Sequence, residues 1–467
     1  MQGKKEKNRI WEKEQELEQE IRSHKTGIIT AFQMAWPSVM ESFFVALAGM
    51  VDSLMVSSLG AYAVAAVGLT TQPKFIGMCL FIALSVAVSA LVARRKGEER
   101  RREGNQVLLM ALLVTLLMGT LISICCVIFA EPFMRWAGAK EDTLDPSVLY
   151  FRIIMGGMLF QIITLSINAA QRGAGNTKIA MRTNVTANVV NMIGNYLLIQ
   201  GNLGFPALGI QGAALATVFG TVVACGMAIF SISTPKSFVS LPYIWRERVR
   251  PLFSTLKSIL HISNTVFVEQ VLMRIGFMAV AVMAADMGTN DFAAHQVGMN
   301  IMSLSFSFGD GFQAAAVALI GQSLGRRDEE QARFYGKTCR YMGLAVSLVL
   351  SVLYLALGRT LYGLFFQETE IIEAGLGIVR MIVVIVFLQI SQVIYMGCLR
   401  GAGDVRYTML VSTVSVTIVR PLTSYLFCYP LGLGLIGIWL GVAADQLSRY
   451  LFASLRFRSG KWTKITI

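Results

Sequence analysis

The feature that most constrains this chain is a succession of apolar runs, each long enough to cross roughly 30 Å of hydrocarbon as an α-helix. They lie near 28–56, 63–93, 107–130, 147–170, 179–200 and 208–232, then near 258–285, 292–322, 340–358, 374–398, 408–428 and 433–454. Lipid offers no partner to a free backbone N–H or C=O, so only helices and closed barrels span it. The alternating pattern of barrel strands is absent. The expected fold class is all-α integral membrane, with twelve transmembrane helices. Composition agrees: 55% of the residues are hydrophobic and 15% charged, against roughly 25% charged in soluble domains.

The net charge of +13 sits in the connectors between runs. Arg94-Arg95-Lys96, Arg100-Arg101-Arg102, Lys236, Arg246, Arg248, Arg250, Lys257, Arg326, Arg327, Arg333, Lys337 and Arg340 all fall at one end of the implied bundle, as do the lysine-rich N-terminus and Arg456, Arg458, Lys461 and Lys464. The connectors at the other end are poor in Lys and Arg or acidic (Glu141-Asp142, Glu368 to Glu373). Positive-inside asymmetry therefore expects a multi-pass protein of the plasma (inner) membrane with both termini cytoplasmic. The basic runs report topology rather than nucleic-acid binding. Residues 1–27 are too polar and acidic for a signal peptide; they read as a solvated charged helix, with Ile10, Trp11, Leu17 and Ile21 also suiting a helix laid on the membrane surface. Seven cysteines without a Cys-x-x-Cys pair and three scattered histidines argue against a disulfide scaffold or a zinc site.

The chain also repeats itself. A shift of 228 superimposes Gly60 on Gly288, Ala65-Ala66 on Ala293-Ala294, Ala90-Leu91 on Ala318-Leu319, Gly97 on Gly325, and Arg172-Gly173-Ala174-Gly175 on Arg400-Gly401-Ala402-Gly403. Each half holds six runs, an even number, so the repeat is parallel. Doubled bundles of this kind build transporters, with the substrate path between halves and alternating access by rocking. The expected segments are a cytoplasmic 1–27, a six-helix lobe 28–235, a cytoplasmic linker 236–257, a second lobe 258–455 and a cytoplasmic tail 456–467. The Arg-Gly-Ala-Gly pieces lack the strand and Lys of a phosphate loop; they read as tight cytoplasmic turns whose arginines satisfy the inside rule.

Trp36-Pro37, Val51-Asp52-Ser53-Leu54-Met55-Val56, Leu59-Gly60, Ala65-Ala66-Val67-Gly68, Ala293-Ala294-His295-Gln296-Val297, Gly321-Gln322-Ser323-Leu324-Gly325, the two Arg-Gly-Ala-Gly turns and Arg420-Pro421 together resemble multidrug and toxic compound extrusion (MATE) transporters over about residues 28–455. The resemblance implies two six-helix lobes and efflux of organic, usually cationic, compounds against sodium ions or protons. It also implies a cation-coupling role for Asp52, with Na+ as one candidate ion there.

An ionised side chain at mid-bilayer costs roughly 2.5–3.5 kcal/mol on insertion scales, so each one calls for an explanation. Glu41 and Asp52 lie eleven residues apart on the first span, three turns plus about 20°, so both point one way about 16 Å apart. Pro37, one turn earlier, permits a kink. The 228 shift carries Glu41 onto Glu269, which expects two carboxylates at equivalent depth facing one watery cleft. Arg274, five residues after Glu269, is the expected internal neutraliser. Asp310, between Gly309 and Gly311, is a further candidate for cation or substrate, its glycines suggesting close packing or a helix break. Asp445 and Arg420 are assigned to a structural charge network. Asn191 and Asn195 face one side of the fifth span at i, i+4, where some relatives carry an acid. Gln389, Gln392 and Tyr395 give the tenth span only neutral polar groups, and His295 reads as a packing histidine.

These readings converge on a secondary antiporter that exports hydrophobic cations in exchange for Na+ or H+, without a cofactor, working as a monomer among membrane lipids. Exchange of one proton for one monovalent cation would move no net charge. A lipid-linked saccharide flippase of the same broad superfamily would want a basic cavity. A non-transporting receptor or scaffold would have little use for a doubled bundle with carboxylates in the membrane. An enzyme is not expected, because no nucleophile–base pair or metal cluster appears.

Overall fold

Long apolar runs with few breakers fold as helices throughout the computed structural model. It describes residues 2–235, 237–363 and 368–465, with side chains from residue 25 onward except those of 61, 64, 142, 289 and 370. Lys236 and the side chains of Ile10, Trp11, Leu17 and Ile21 lie outside the described residues.

The first six spans are α1 (Gln2–Ser57), α2 (Ala61–Gly97), α3 (Arg101–Ile128), α4 (Glu141–Gly156 continuing as Met158–Gly173), α5 (Thr177–Leu198) and α6 (Ile210–Ile232). The second six are α7 (Phe253–Asp286), α8 (Thr289–Gly325), α9 (Glu329–Gly363), α10 (Thr369–Ala402), α11 (Val405–Cys428) and α12 (Gly434–Ser459). Among the described residues nine of these are apolar and long enough to span by themselves, and the two pieces of α4, bent by 44°, pass together. The remaining two, α5 and α12, dilute their apolar runs with polar side chains that the site description below takes up. The chain is an all-α membrane protein of two six-helix lobes.

Two helices depart from straight α geometry. The α4 bend falls at Gly157. In α11 the turn Val414–Val419 widens to π-helix just before Arg420 and Pro421. A proline ring collides with the carbonyl four residues earlier, here Thr417, and the wider turn relieves that collision. By contrast, Pro37 lies inside a helix that runs on as one element.

Each lobe has its own apolar core, one containing Phe81, Leu91, Met155 and Ile162, the other Ile382, Val386, Leu399 and Trp439. The cores are cross-laced. Ala31, Ala35 and Val39 of α1 pack into the second core, and Ile259, Ile262 and Val266 of α7 into the first. Large apolar side chains such as Leu117, Phe230 and Met278 face outward, as the lipid-contacting perimeter of a bundle requires.

The lobes touch where α1 meets α8 and α2 meets α7 and α8. At the end that carries the basic connectors, the contact is made by the repeat-related pair Gly97 and Gly325. A Cβ on either would lie under 3 Å from the Cα of the other. Only bare backbone fits there. Gly311 does the same for the α1–α8 crossing, where a Cβ would press into the backbone of Val39. Asp310 thus sits beside a close-packing glycine in an unbroken helix.

Candidate functional site

Between the lobes lies a cavity of about 630 Å³. Its wall includes Glu41 of α1, Glu269 of α7 and Asp310 of α8. The two glutamates occupy matched environments. Arg172 Nη1, at the end of α4, donates to Glu41 Oε1 at 2.9 Å, and Arg400 Nη2, at the end of α10, donates to Glu269 Oε1 at 2.7 Å. These arginines are the first residues of the two Arg-Gly-Ala-Gly turns. Expected as turn residues marking the cytoplasmic side, they instead reach back into the cavity wall as counter-ions. Asn184 Nδ2 of α5 adds a second bond to Glu41 Oε1, at 2.6 Å. Its repeat partner is Ser412, which lies in the cavity wall.

Each glutamate keeps one oxygen unpartnered. Glu41 Oε2 and Glu269 Oε2 are both buried and accept no hydrogen bond. A buried carboxylate oxygen left bare loses its water without compensation, so both atoms are poised to accept a proton or a cation.

Arg274 does not neutralise Glu269. Its guanidinium carbon lies 3.7 Å from the ring centre of Phe75, on α2 of the other lobe, and both residues line the cavity. Five residues along a helix turn a side chain by about 140°, away from Glu269 and toward the other lobe. Asp310 accepts from Gln313 Nε2 at 3.1 Å. Gln389 and Gln392 also line the cavity, while Tyr395 packs on Phe457 with ring centres 5.0 Å apart.

Asp52 is absent from the cavity wall, contrary to the expectation of one acid-lined cleft. It lies inside the first lobe, held by α5: Asn195 Nδ2 donates to its Oδ1. Asn191, with its amide oxygen accepting from Thr217 Oγ1 of α6 at 2.8 Å, donates to the same Asp52 oxygen at 2.6 Å. Asn195 Oδ1 is buried with no partner. Lys74 of α2 lies within electrostatic reach of Asp52. The register explains why α1 holds both acids on one face. Glu41 meets Asn184 and Asp52 meets Asn195, eleven residues apart on each of two parallel helices.

The second lobe has an internal charge cluster instead. Asp445 of α12 takes two bonds from Arg449 (2.9 and 2.8 Å), and Arg420 Nη1 of α11 lies 3.9 Å from it. The Arg420 guanidinium also faces the Phe277 ring at 4.7 Å. His295 is buried beside Trp439, ring centres 5.6 Å apart.

Comparison with known proteins decides the family. A family model described as MatE matches residues 37–197 and 266–426, one copy in each lobe. The chain belongs to the MatE family. Among MatE relatives, the Uncharacterized transporter YisQ of Bacillus subtilis is 26% identical over 92% of this chain and 94% of its own length. The Probable multidrug resistance protein NorM of Thermotoga maritima is 24% identical over 92% of each chain. A solved structure described as the outward-facing conformation of a multidrug resistance MATE family transporter of the MOP superfamily superposes with a TM-score of 0.85. It is 22% identical and is matched over 94% of this chain and 97% of its own. MatE proteins are transporters, which leaves the cavity to be read as a passage rather than a reaction site.

Proposed function

We infer that this MatE protein is a secondary antiporter that exports small hydrophobic organic compounds bearing a positive charge, in exchange for H+ or Na+. The observation that carries the reading is the matched pair of cavity-lining glutamates, Glu41 and Glu269, each with one buried oxygen that has no hydrogen-bond partner. Their arginine partners hold each carboxylate in place while leaving its second oxygen unpartnered, for a cation or proton that reaches it when the lobes move. The multidrug resistance name of the Thermotoga relative supports export of drug-like compounds.

Asp52 is the reading's loading point for the coupling ion. Asn191 and Asn195 fix the carboxylate with neutral donors, and the free Asn195 Oδ1 supplies a further oxygen. Carboxylate and amide oxygens suit a hard cation such as Na+, and the carboxylate alone suits a proton. The reading takes both termini as cytoplasmic in an inner-membrane protein, which the basic connectors support. On that orientation the Gly97–Gly325 contact closes the cytoplasmic end. The same reading takes the protein as a monomer, segmented into two lobes joined by the 236–257 linker.

The test reconstitutes the protein in vesicles, imposes a sodium or proton gradient in turn and follows accumulation of a fluorescent lipophilic cation. Wild type accumulates the dye under at least one gradient. Asp52→Asn loses gradient-driven accumulation, whereas Glu41→Gln and Glu269→Gln each lower dye affinity. Normal transport by all three variants refutes the site assignment.

A further inference from the structure

A second cavity lies apart from the one between the lobes. It is a groove of about 680 Å³ on the first lobe, lined by the start of α5, the last two turns of α6 and the connector that follows. It shares no residue with the wall between the lobes. Both helix ends belong to the end of the bundle that carries the basic connectors. Arg182 stands five residues into α5, about 8 Å from that end at 1.5 Å per residue. A charge so close to a helix end meets lipid headgroups rather than acyl chains.

Three polar groups in this groove have no partner among the described residues. Arg182 is exposed and has no Asp or Glu within ion-pair distance. Asn176 precedes α5 without capping it, and neither its amide nor the Thr234 hydroxyl makes a hydrogen bond. Among the described residues no acidic side chain lines the groove. The surface beside these groups is apolar, with Met227 and a Phe230 that is 77% exposed. Gly226 cuts a notch in it, where an added Cβ would meet nothing within 4 Å. Unanswered donors beside an apolar notch suit a ligand with an anionic, oxygen-rich head and a hydrocarbon tail.

The second lobe supplies a contrast. The 228 shift carries Asn176 onto Asp404 and Arg182 onto Leu410, and both line a groove of about 700 Å³ at the same end. There Arg456 donates to Asp404 at 2.7 Å, and the exposed Arg406 shares the groove with that acid. An acid stands where the first lobe has an amide, and an apolar side chain where it has a guanidinium.

We propose that the first-lobe groove binds an anionic phospholipid of the leaflet at the basic end, its phosphate held by Arg182, Asn176 and Thr234 and an acyl chain laid along Gly226. The site is independent of the antiporter reading and of what the central cavity carries. It bears on α5 from outside. Asn184, which holds Glu41, follows Arg182 by two residues, about 200° round the helix, and Asn195, which holds Asp52, by thirteen, about 220°. A headgroup on one face thus steadies the helix whose opposite face positions both acids of α1.

The experiment offers the full chain in detergent short-chain phosphatidylglycerol, phosphatidylcholine with the same chains, or inorganic phosphate. Bound lipid is counted by native mass spectrometry, and stabilisation is read as a rise in Tm. Wild type holds phosphatidylglycerol about tenfold more tightly than phosphatidylcholine, the effect of one charge-assisted contact. Arg182→Gln abolishes that preference, and Arg182→Lys keeps most of it, because a phosphate also accepts a point charge. Gly226→Leu fills the notch with the charge still in place and lowers binding of both lipids. Arg406→Gln leaves phosphatidylglycerol binding unchanged. Equal retention of the two lipids by wild type overturns the proposal. So does an equal loss in Arg406→Gln and Arg182→Gln, which would mark diffuse surface charge. Displacement of phosphatidylglycerol by inorganic phosphate at equal concentration also overturns it, since the groove would then be a site for a soluble anion.

Discussion

The two lobes descend from one pattern yet treat their buried acids in opposite ways. In the first lobe the interior acid is Asp52 on α1, and its hydrogen-bond partners are neutral amides from α5. In the second lobe the position equivalent to Asp52 is Val280, and an acid appears instead on α12, where Asp445 replaces the counterpart of Thr217. Two arginines lock that acid. A carboxylate held by neutral donors keeps its charge available to a small cation. One held by guanidinium groups has it already answered. The lobes thus share their cavity-facing pairs and differ inside; on the antiporter reading proposed above, one interior suits ion exchange and the other rigidity.

That contrast breaks most visibly at Asp445. Asp445→Asn leaves Arg420 and Arg449 without an acid in a fully buried site. It is expected to cost at least the ~3–5 kcal/mol of a half-removed buried pair, seen as a large drop in thermal unfolding temperature in detergent. Glu269→Gln comes next at about 3 kcal/mol, because Arg400 is nearly buried, and the double variant Glu269→Gln/Arg400→Gln should recover part of the loss.

Glu41→Gln is milder, about 2 kcal/mol, since Arg172 is more open to water and Asn184 still bonds the amide oxygen. Equal melting of the two single variants would deny the lobes their difference in burial. Gly97→Val overpacks the seam between lobes at about 1–3 kcal/mol. It should raise cysteine labelling of probes placed at the basic end of the cavity. Asp52→Asn is expected to shift stability least, below about 1 kcal/mol, because its hydrogen-bond partners are neutral amides that an asparagine can still engage and Lys74 makes no ion-pair contact with it. A melting loss as large as that of Asp445→Asn would erase the distinction between exchange and rigidity.

Much of the fold was legible because lipid leaves a chain few choices: run length and the 228 shift together expect twelve helices in two matched halves. α5 and α12 were the weakest runs for a physical reason, since Asn184, Asn191, Asn195, Asp445 and Arg449 interrupt their apolar faces. The site was only partly legible. The repeat brought out Glu41 and Glu269, but their partners were hidden, because an arginine near a basic connector carries the same signal whether it faces water or reaches inward. The clue was the same repeat: Arg172 and Arg400 stand 131 residues after Glu41 and Glu269. Arg274 was misassigned by nearness in sequence, which ignores helical phase. Asp52 faces the expected side of α1, yet what faces it is a neighbouring helix of its own lobe. Only tertiary packing separates a lobe's interior from the space between lobes.

The meeting of Gly97 with Gly325 has a mechanical consequence. A gate closed by interlocking side chains must extract and re-solvate each of them whenever it swings. Two facing glycines have no rotamers to rearrange and little hydrocarbon to wet, so a rigid-body tilt can part them once the neighbouring Gln322 Nε2 to Gly173 O hydrogen bond is broken. Side-chain extraction then adds little to the work of opening at this contact, which leaves more of the control to the charges seated above it.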